Sequence, residues 1–273
     1  MRKFYLLNDK GEKFAFDYSS KVLISSIQGL GFTKTNTYFN YDNIYKKIDE
    51  EIPTQDIVFN LAFLEKYRGF KGFLSFLEGS KELLLYYTSD ETKYTYVEVE
   101  SLSKTEISAG TLTSELKLKR LSYWYKDVIS EVVINVAKTG KIYPFKYPYT
   151  YSKSSKGKME LINNGYAKAP LKITIEGNVS NPEIIVTKGE EEVSRLKIYY
   201  ESTDCKITVD AFPTRQSITI EEKGSVMDAY EYQDFSKDNF IFLEHGTYTL
   251  TFVPNTQSNP KCSITMVEGY LGN

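Results

Sequence analysis

Histidine is nearly missing from this chain of 273 residues: there is one, His245, and cysteine is held to two, Cys205 and Cys262. A metal site built on several imidazoles of one chain is therefore excluded, because zinc sites recruit three or four nitrogen and sulfur ligands. His245 sits in "LEHGTYTL", at a turn before a strand, with no cysteine or second histidine at metal spacing. A Ser-His-Asp site is not excluded by counting, but no Gly-x-Ser-x-Gly nucleophile elbow accompanies the histidine. Long apolar runs are missing as well. No stretch of 18 apolar residues exists, and "MRKFYLLNDK" has only four apolar residues between Lys3 and Asn8. The expectation is of a protein that neither spans a membrane nor leaves the cell by a signal peptide. In that setting two cysteines read as buried thiols, not as a disulfide.

Basic clusters are also lacking. Lys and Arg number 34 against 36 Asp and Glu, giving a net charge of −2, and the cations are scattered. A nucleic-acid binder concentrates cations to neutralise phosphates, so no sequence-specific nucleic-acid partner is expected. Among 36 carboxylates a pair for glycoside hydrolysis is always to be found, and only separation in space gives one meaning. Glu190, Glu191 and Glu192, after Lys188-Gly189, read as an exposed turn. No catalytic residue, metal ligand or cofactor is assigned, and the chain reads as a non-enzyme.

What the chain has in quantity is aromatic side chains: 23 Tyr and 16 Phe, with Trp124 the single tryptophan. Tyr and Phe favour strands, and Tyr also suits interfaces because a polar tip ends its apolar ring. "KFYLLNDKGEKFAF" (3–16) reads as two strands about an Asp-Lys-Gly turn. In "KVLISSIQGLGF" (21–32), Gly29 and Gly31 imply a bulge, a bend or a close backbone approach. Residues 33–55 read as a long irregular segment, either an arm lying on another surface or a loop folded on its own domain. "DIVFNLAFLE" reads as a strand. Tyr67, Phe70, Phe73, Leu74 and Leu77 then recur every three or four residues, which predicts an amphipathic helix closing near Gly79.

Strands dominate from 82 to 136. Residues 138–158, rich in Pro, Gly, Ser and Thr, are the expected linker, dividing a domain over 1–137 from one over 159–273. In the second, "KITIEGN", "EIIVTKG", "VSRLKIYY", "CKITVDAF", "QSITIEEKG", "FIFLEHG", "YTLTFVP" and "CSITMVEGY" recur about every ten residues. Evenly spaced short strands predict a β-sandwich. "KAPLKITIEGNVSNPEIIV" (168–186) reads as a hairpin turning on Asn178, Asn181 and Pro182, suited to a sugar-binding module or to a docking platform. Sugar-binding sandwiches stack the sugar on an aromatic ring. With no tryptophan in this domain, Tyr199, Tyr230, Tyr232 and Tyr248 are the candidates.

The order of these segments resembles that of the distal tail proteins of siphophages infecting Gram-positive bacteria. The resemblance spans nearly the whole chain and rests on diffuse motifs in sequence: "FYLLNDKGEKFAF", "ISSIQGLGF", "YRGFKGFLSFLEGSKELLLYY", "YVEVESLSKTEIS", "IEGNVSNPEIIV", "CKITVDAFPTRQSI" and "FIFLEHGTYTLTF". It implies a mainly β protein with a tail-tube-like N-terminal domain carrying one helix and a galectin-like C-terminal sandwich. It further implies a hexameric ring that joins the tail tube to the baseplate or tail tip and leaves a channel for DNA. The partners implied are the major tail tube protein, a tail-associated hub protein, and receptor-binding or other baseplate proteins. The location implied is the virion tail tip, after assembly in the host cytoplasm. On this reading the arm over 33–55 lies on a neighbouring copy through Phe39, Tyr41, Ile44 and Tyr45. The length is that of a compact member, with no insertion large enough for an added carbohydrate-binding module. The alternative function is a carbohydrate-binding sandwich that contributes to adhesion on the host cell wall.

Overall fold

Along β1 (Lys3–Asn8), Phe4, Leu6 and Asn8 are buried while the residues between them are more open, the two-residue period of a strand with one face on a core. A computed structural model of the chain describes residues 2–132, 134, 135, 156–256 and 258–273. It divides into Met1–Lys126 with Tyr270–Asn273, and Asp127–Gly269. Of the expected linker, residues 138–155 lie outside the described residues, and 156–158 begin a strand.

After β1 the first unit runs through β2 (Lys13–Ala15), β3 (Val22–Gln28), β4 (Thr35–Tyr41), β5 (Ile44–Glu51), β6 (Gln55–Phe63), α1 (Tyr67–Glu78), β7 (Leu83–Thr88), β8 (Thr92–Leu102) and β9 (Leu112–Arg120). The division between units falls inside β10 (Trp124–Val132). Seven strands pair antiparallel in the order β2-β1-β7-β8-β9-β6-β3. Three strands separate β1 from β6, yet the Phe4 and Phe59 rings lie 5.7 Å apart, so the sheet curls over its own apolar face. Helix α1 closes that face with Phe73, which is fully buried and sits 4.8 Å from the Phe14 ring. Of the residues in the three-and-four spacing, Phe70, Phe73 and Leu77 pack on the core together with Phe76, whereas Tyr67 and Leu74 are exposed.

Gly29 makes the close approach that its sequence context implied. Its φ is +86°, and a Cβ there would lie 1.9 Å from the Asp56 carbonyl oxygen. The register of β3 against β6 shifts between Ser25 and Gln28, a bulge beside it. At the end of the core face Arg120 is 3% exposed, and its Nη1 donates to the carbonyls of Gly31 (2.8 Å) and Leu271 (3.2 Å). It ties the last residues of the chain to the loop after β3, and burial lowers its pKa. On the outer face Asp56 and Glu100 meet Lys117 at 2.9 and 3.1 Å, and Lys119 reaches Asp56 at 2.5 Å. Hydrogen bonds from Lys119 and Lys117 hold the Asp56 carboxyl down at about 2.

The second unit contains β11 (Ile134–Asn135), β12 (Lys156–Asn163), β13 (Ala169–Ser180), β14 (Glu183–Lys188), β15 (Glu191–Lys197), β16 (Glu201–Asp210), β17 (Ser217–Glu222), β18 (Ser225–Asp228), β19 (Phe242–Leu243), β20 (Gly246–Val253) and β21 (Lys261–Tyr270), which ends one residue past the division. Two sheets form, β18-β17-β16-β13-β21 and β11-β12-β20-β14-β15, with the short β19 on the start of β13. Ile173, Ile175, Ile207, Val209 and Ile264 from one sheet and Leu161, Ile184, Val186, Leu250 and Phe252 from the other build one core. This is a β-sandwich, and the whole chain is mainly β.

The hairpin expected over residues 168–186 does not form: β13 pairs with β16 and β21, whereas β14 pairs with β15 and β20 in the opposite sheet. Asn181 takes φ 51°, and Pro182, which has no N–H to offer a ladder, follows it. The corner is held by Asn181 N donating to Tyr200 O (2.8 Å) and Ile198 N donating to Pro182 O (3.1 Å). The chain therefore changes sheets at the Asn-Pro step. Cys205 and Cys262 are free and buried, opposite Gly177 and Ile175 on the two sides of β13. Two strand spacings, about 9.5 Å, part them, which is beyond disulfide reach. Burial pushes both thiols up, Cys262 to about 12.

Candidate functional site

The segment read as irregular over 33–55 is a β-hairpin. Strands β4 and β5 pair from Thr35↔Glu51 to Tyr41↔Ile44, and Asp42 (φ 48°) and Asn43 (φ 63°) form the two-residue turn. Two left-handed residues are what a tight hairpin of this kind demands, and Asp and Asn tolerate that region better than other residues with a side chain. The turn has no glycine, which is why its sequence does not announce a hairpin. Near the base, Glu50 receives Lys34 and Lys47, each at 2.5 Å.

Among the described residues this hairpin pairs with no other strand. Register puts Phe39, Tyr41 and Ile44 on one face with Lys46, and Tyr45 on the other with Tyr38, Asn40 and Lys47. The four anchors expected from sequence are thus brought onto one ribbon, three on one side and Tyr45 behind. Ile48, at the register shift between Thr37 and Tyr38, is a further exposed apolar residue that sequence reading passed over. Tyr38, Phe39, Tyr41, Ile44, Tyr45 and Ile48 are between 54% and 73% exposed. An isolated two-stranded ribbon is at best marginally stable in water, and six exposed apolar side chains along one are uncommon. The hairpin thus carries an exposed apolar surface on both faces.

The candidate sugar-stacking tyrosines divide. Tyr248 is 4% exposed on the core face of β20, with Lys188 Nζ 5.4 Å from its ring centroid, and presents no open face. Tyr232 packs edge-on against Tyr200 with ring centroids 5.4 Å apart. Tyr199 and Tyr230 are exposed, and Tyr199 Oη donates to Asp234 at 3.2 Å; desolvation, with this bond second, raises the Tyr199 pKa. The turn at Tyr230–Tyr232 and the loop after it border an open cavity of about 490 Å³ against β15. Phe235, 72% exposed at its edge, lies in a loop with no periodic pattern to mark it beforehand.

His245 Nδ1 lies 3.2 Å from the Gly165 carbonyl oxygen, a local contact. No group of three or more His, Cys, Asp or Glu positioned for a metal occurs among the described residues. No helix among them is long and apolar enough to cross a membrane.

Comparison with known proteins bears on the first unit directly: residues 3–121 match the family model of the distal tail protein, N-terminal domain. No curated protein matches the sequence. Among solved structures, the chain is similar to one from the phage P2 baseplate in its activated conformation with calcium. The TM-score is 0.68 at 15% identity, with 100% of both chains covered. It is also similar to the Dit protein of SPP1, described as a paradigm of the hub adsorption apparatus in phages infecting Gram-positive bacteria. There the TM-score is 0.64 at 12% identity, covering 96% of this chain and 98% of that one. At such identities the likeness carries the fold, and it spans both units.

Proposed function

We propose that this protein, whose residues 3–121 match the distal tail protein N-terminal domain, is a structural hub of a phage tail tip. Six copies close into a ring through their N-terminal domains. The ring joins the end of the tail tube to the baseplate and leaves an axial channel for DNA. The C-terminal sandwich stands on the outside as the platform for hub and receptor-binding proteins. Residues 1–137 are the ring-forming part on this reading and 159–273 the platform, assembled in the host cytoplasm before entering the virion.

The observation that carries the proposal is the β4–β5 hairpin, an unaccompanied ribbon with exposed aromatic and aliphatic residues on both faces. Cyclic closure needs a heterologous contact, in which one surface of a copy meets a different surface of the next. A projecting ribbon supplies such a surface. The scattered cations agree with a conduit that does not retain its cargo. Antibody against the chain, applied to tailed particles that contain it, is expected to label the end of the tail distal to the capsid. Label along the tail tube, or on the capsid, would contradict the proposal.

A further inference from the structure

The cavity beside β15 lies in the second unit, apart from the proposed assembly arm. Two features set it off from ordinary surface. Gln233 lines it and is 6% exposed, yet its side-chain amide has no hydrogen-bond partner among the described residues. Its amide nitrogen and oxygen are not enclosed, since the enclosed unpaired atoms among the described residues belong to Asn36, Gln55 and Trp124, so water meets them and a ligand in the cavity would take that water's place. At the rim Phe235 presents an open apolar face, with the half-exposed Tyr230 ring 6.3 Å from it at 65°. Lys237 and Asp238 bring one charge of each sign to the same wall. The Asp238 carboxylate makes no hydrogen bond or ion pair with the described residues.

We propose that this cavity is a saccharide-binding site, with Phe235 as the stacking platform and the Gln233 amide as the polar contact in its floor. A pyranose ring offers one face of C–H groups to an aromatic ring and an equatorial belt of hydroxyls that both donate and accept. The Gln233 amide, with one donor end and one acceptor end, matches a pair of neighbouring hydroxyls. Asp238 accepts from further hydroxyls, and Lys237 donates to them. Exposed rings with a few convergent polar groups in a cavity of about 490 Å³ are the makings of a small-ligand site. A peptide added as a strand fits less well. Lys197, which ends β15, gives both backbone groups to the loop, its N–H to Asn239 Oδ1 and its carbonyl to Asp234 N. This inference stands apart from the ring, and ring formation neither supports nor removes it.

The test uses the full-length chain on an array of neutral and N-acetylated oligosaccharides, followed by calorimetry with the strongest binder. Phe235→Ala removes the platform. Gln233→Leu replaces an amide that makes no side-chain hydrogen bond within the described fold with an apolar side chain of similar size, which leaves folding intact. Tyr18→Ala, on an exposed turn of the first unit, is the control. The wild type and the control are expected to bind alike, and each site variant to bind at least about tenfold more weakly. The proposal is overturned if no oligosaccharide binds, or if both site variants keep full affinity. It is equally overturned if a hexapeptide library, and no sugar, yields a ligand that depends on Phe235.

Discussion

Excising residues 36–50 is expected to abolish ring formation while leaving a folded, monomeric subunit. Thr35 and Glu51 are register partners at the hairpin base, so their Cα atoms lie within about 5.5 Å and two glycines rejoin them. None of the excised side chains belongs to the core of the first unit. The thermal midpoint should therefore move by no more than about 2 °C. Assembly should fail, because the ribbon's apolar side chains gain their burial only from another copy, at about 25 cal/mol for each Å² removed from water. The faces can be separated. Phe39→Ser, Tyr41→Ser and Ile44→Ser together strip one face and Tyr45→Ser weakens the other, and the triple change is expected to cost more. A deletant that still forms rings in sedimentation and electron micrographs would remove the hairpin from the interface.

Asn163→Ala is expected to destabilise the second unit by about 3–5 kcal/mol, lowering its midpoint by roughly ten degrees. The side chain is fully buried at the end of β12. Its Nδ2 donates to the carbonyls of Ala167 (3.1 Å) and Leu243 (2.9 Å), and its Oδ1 accepts from Gly165 N at 2.8 Å. Truncation removes the side-chain partner of two buried backbone groups and of one part-buried carbonyl. The same turn is tight: a Cβ on Gly165 would lie 2.8 Å from the Gly269 carbonyl oxygen. Differential scanning calorimetry measures the effect. A loss below about 1 kcal/mol would mean that water takes over these bonds and that Asn163 is not the fastener of the β12–β13 connection.

Much of the fold is written in local periodicity. The helix from 67 to 78 follows from its three-and-four spacing, and the sandwich from short strands at even intervals. Gly29 marked a close approach because only a residue without Cβ passes the Asp56 carbonyl. What local pattern does not carry is the choice of partner. Ile173–Val179 and Ile184–Val186 alternate as hairpin strands do, and the Asn-Pro step between them reads equally as a turn or as a crossing. Only long-range pairing to β21 and β20 decides for the crossing. The segment over 33–55 was visible as an anomaly in composition, but its Asp-Asn turn lacks the glycine that signals a hairpin. Tyr248 alternates with Leu250 and Phe252 and so shares their core face, a pattern that weighs more than its chemistry. Gln233 and Phe235 lie where no period operates, and their juxtaposition exists only in the folded chain.

The most direct measurement of the central claim is the mass of the purified wild-type chain in solution, by light scattering, with particles from the same fraction imaged by electron microscopy. A closed ring with the mass of six chains and an open axial channel is expected. A monomer that persists at the highest attainable concentration, or an open filament in place of a ring, would contradict the claim.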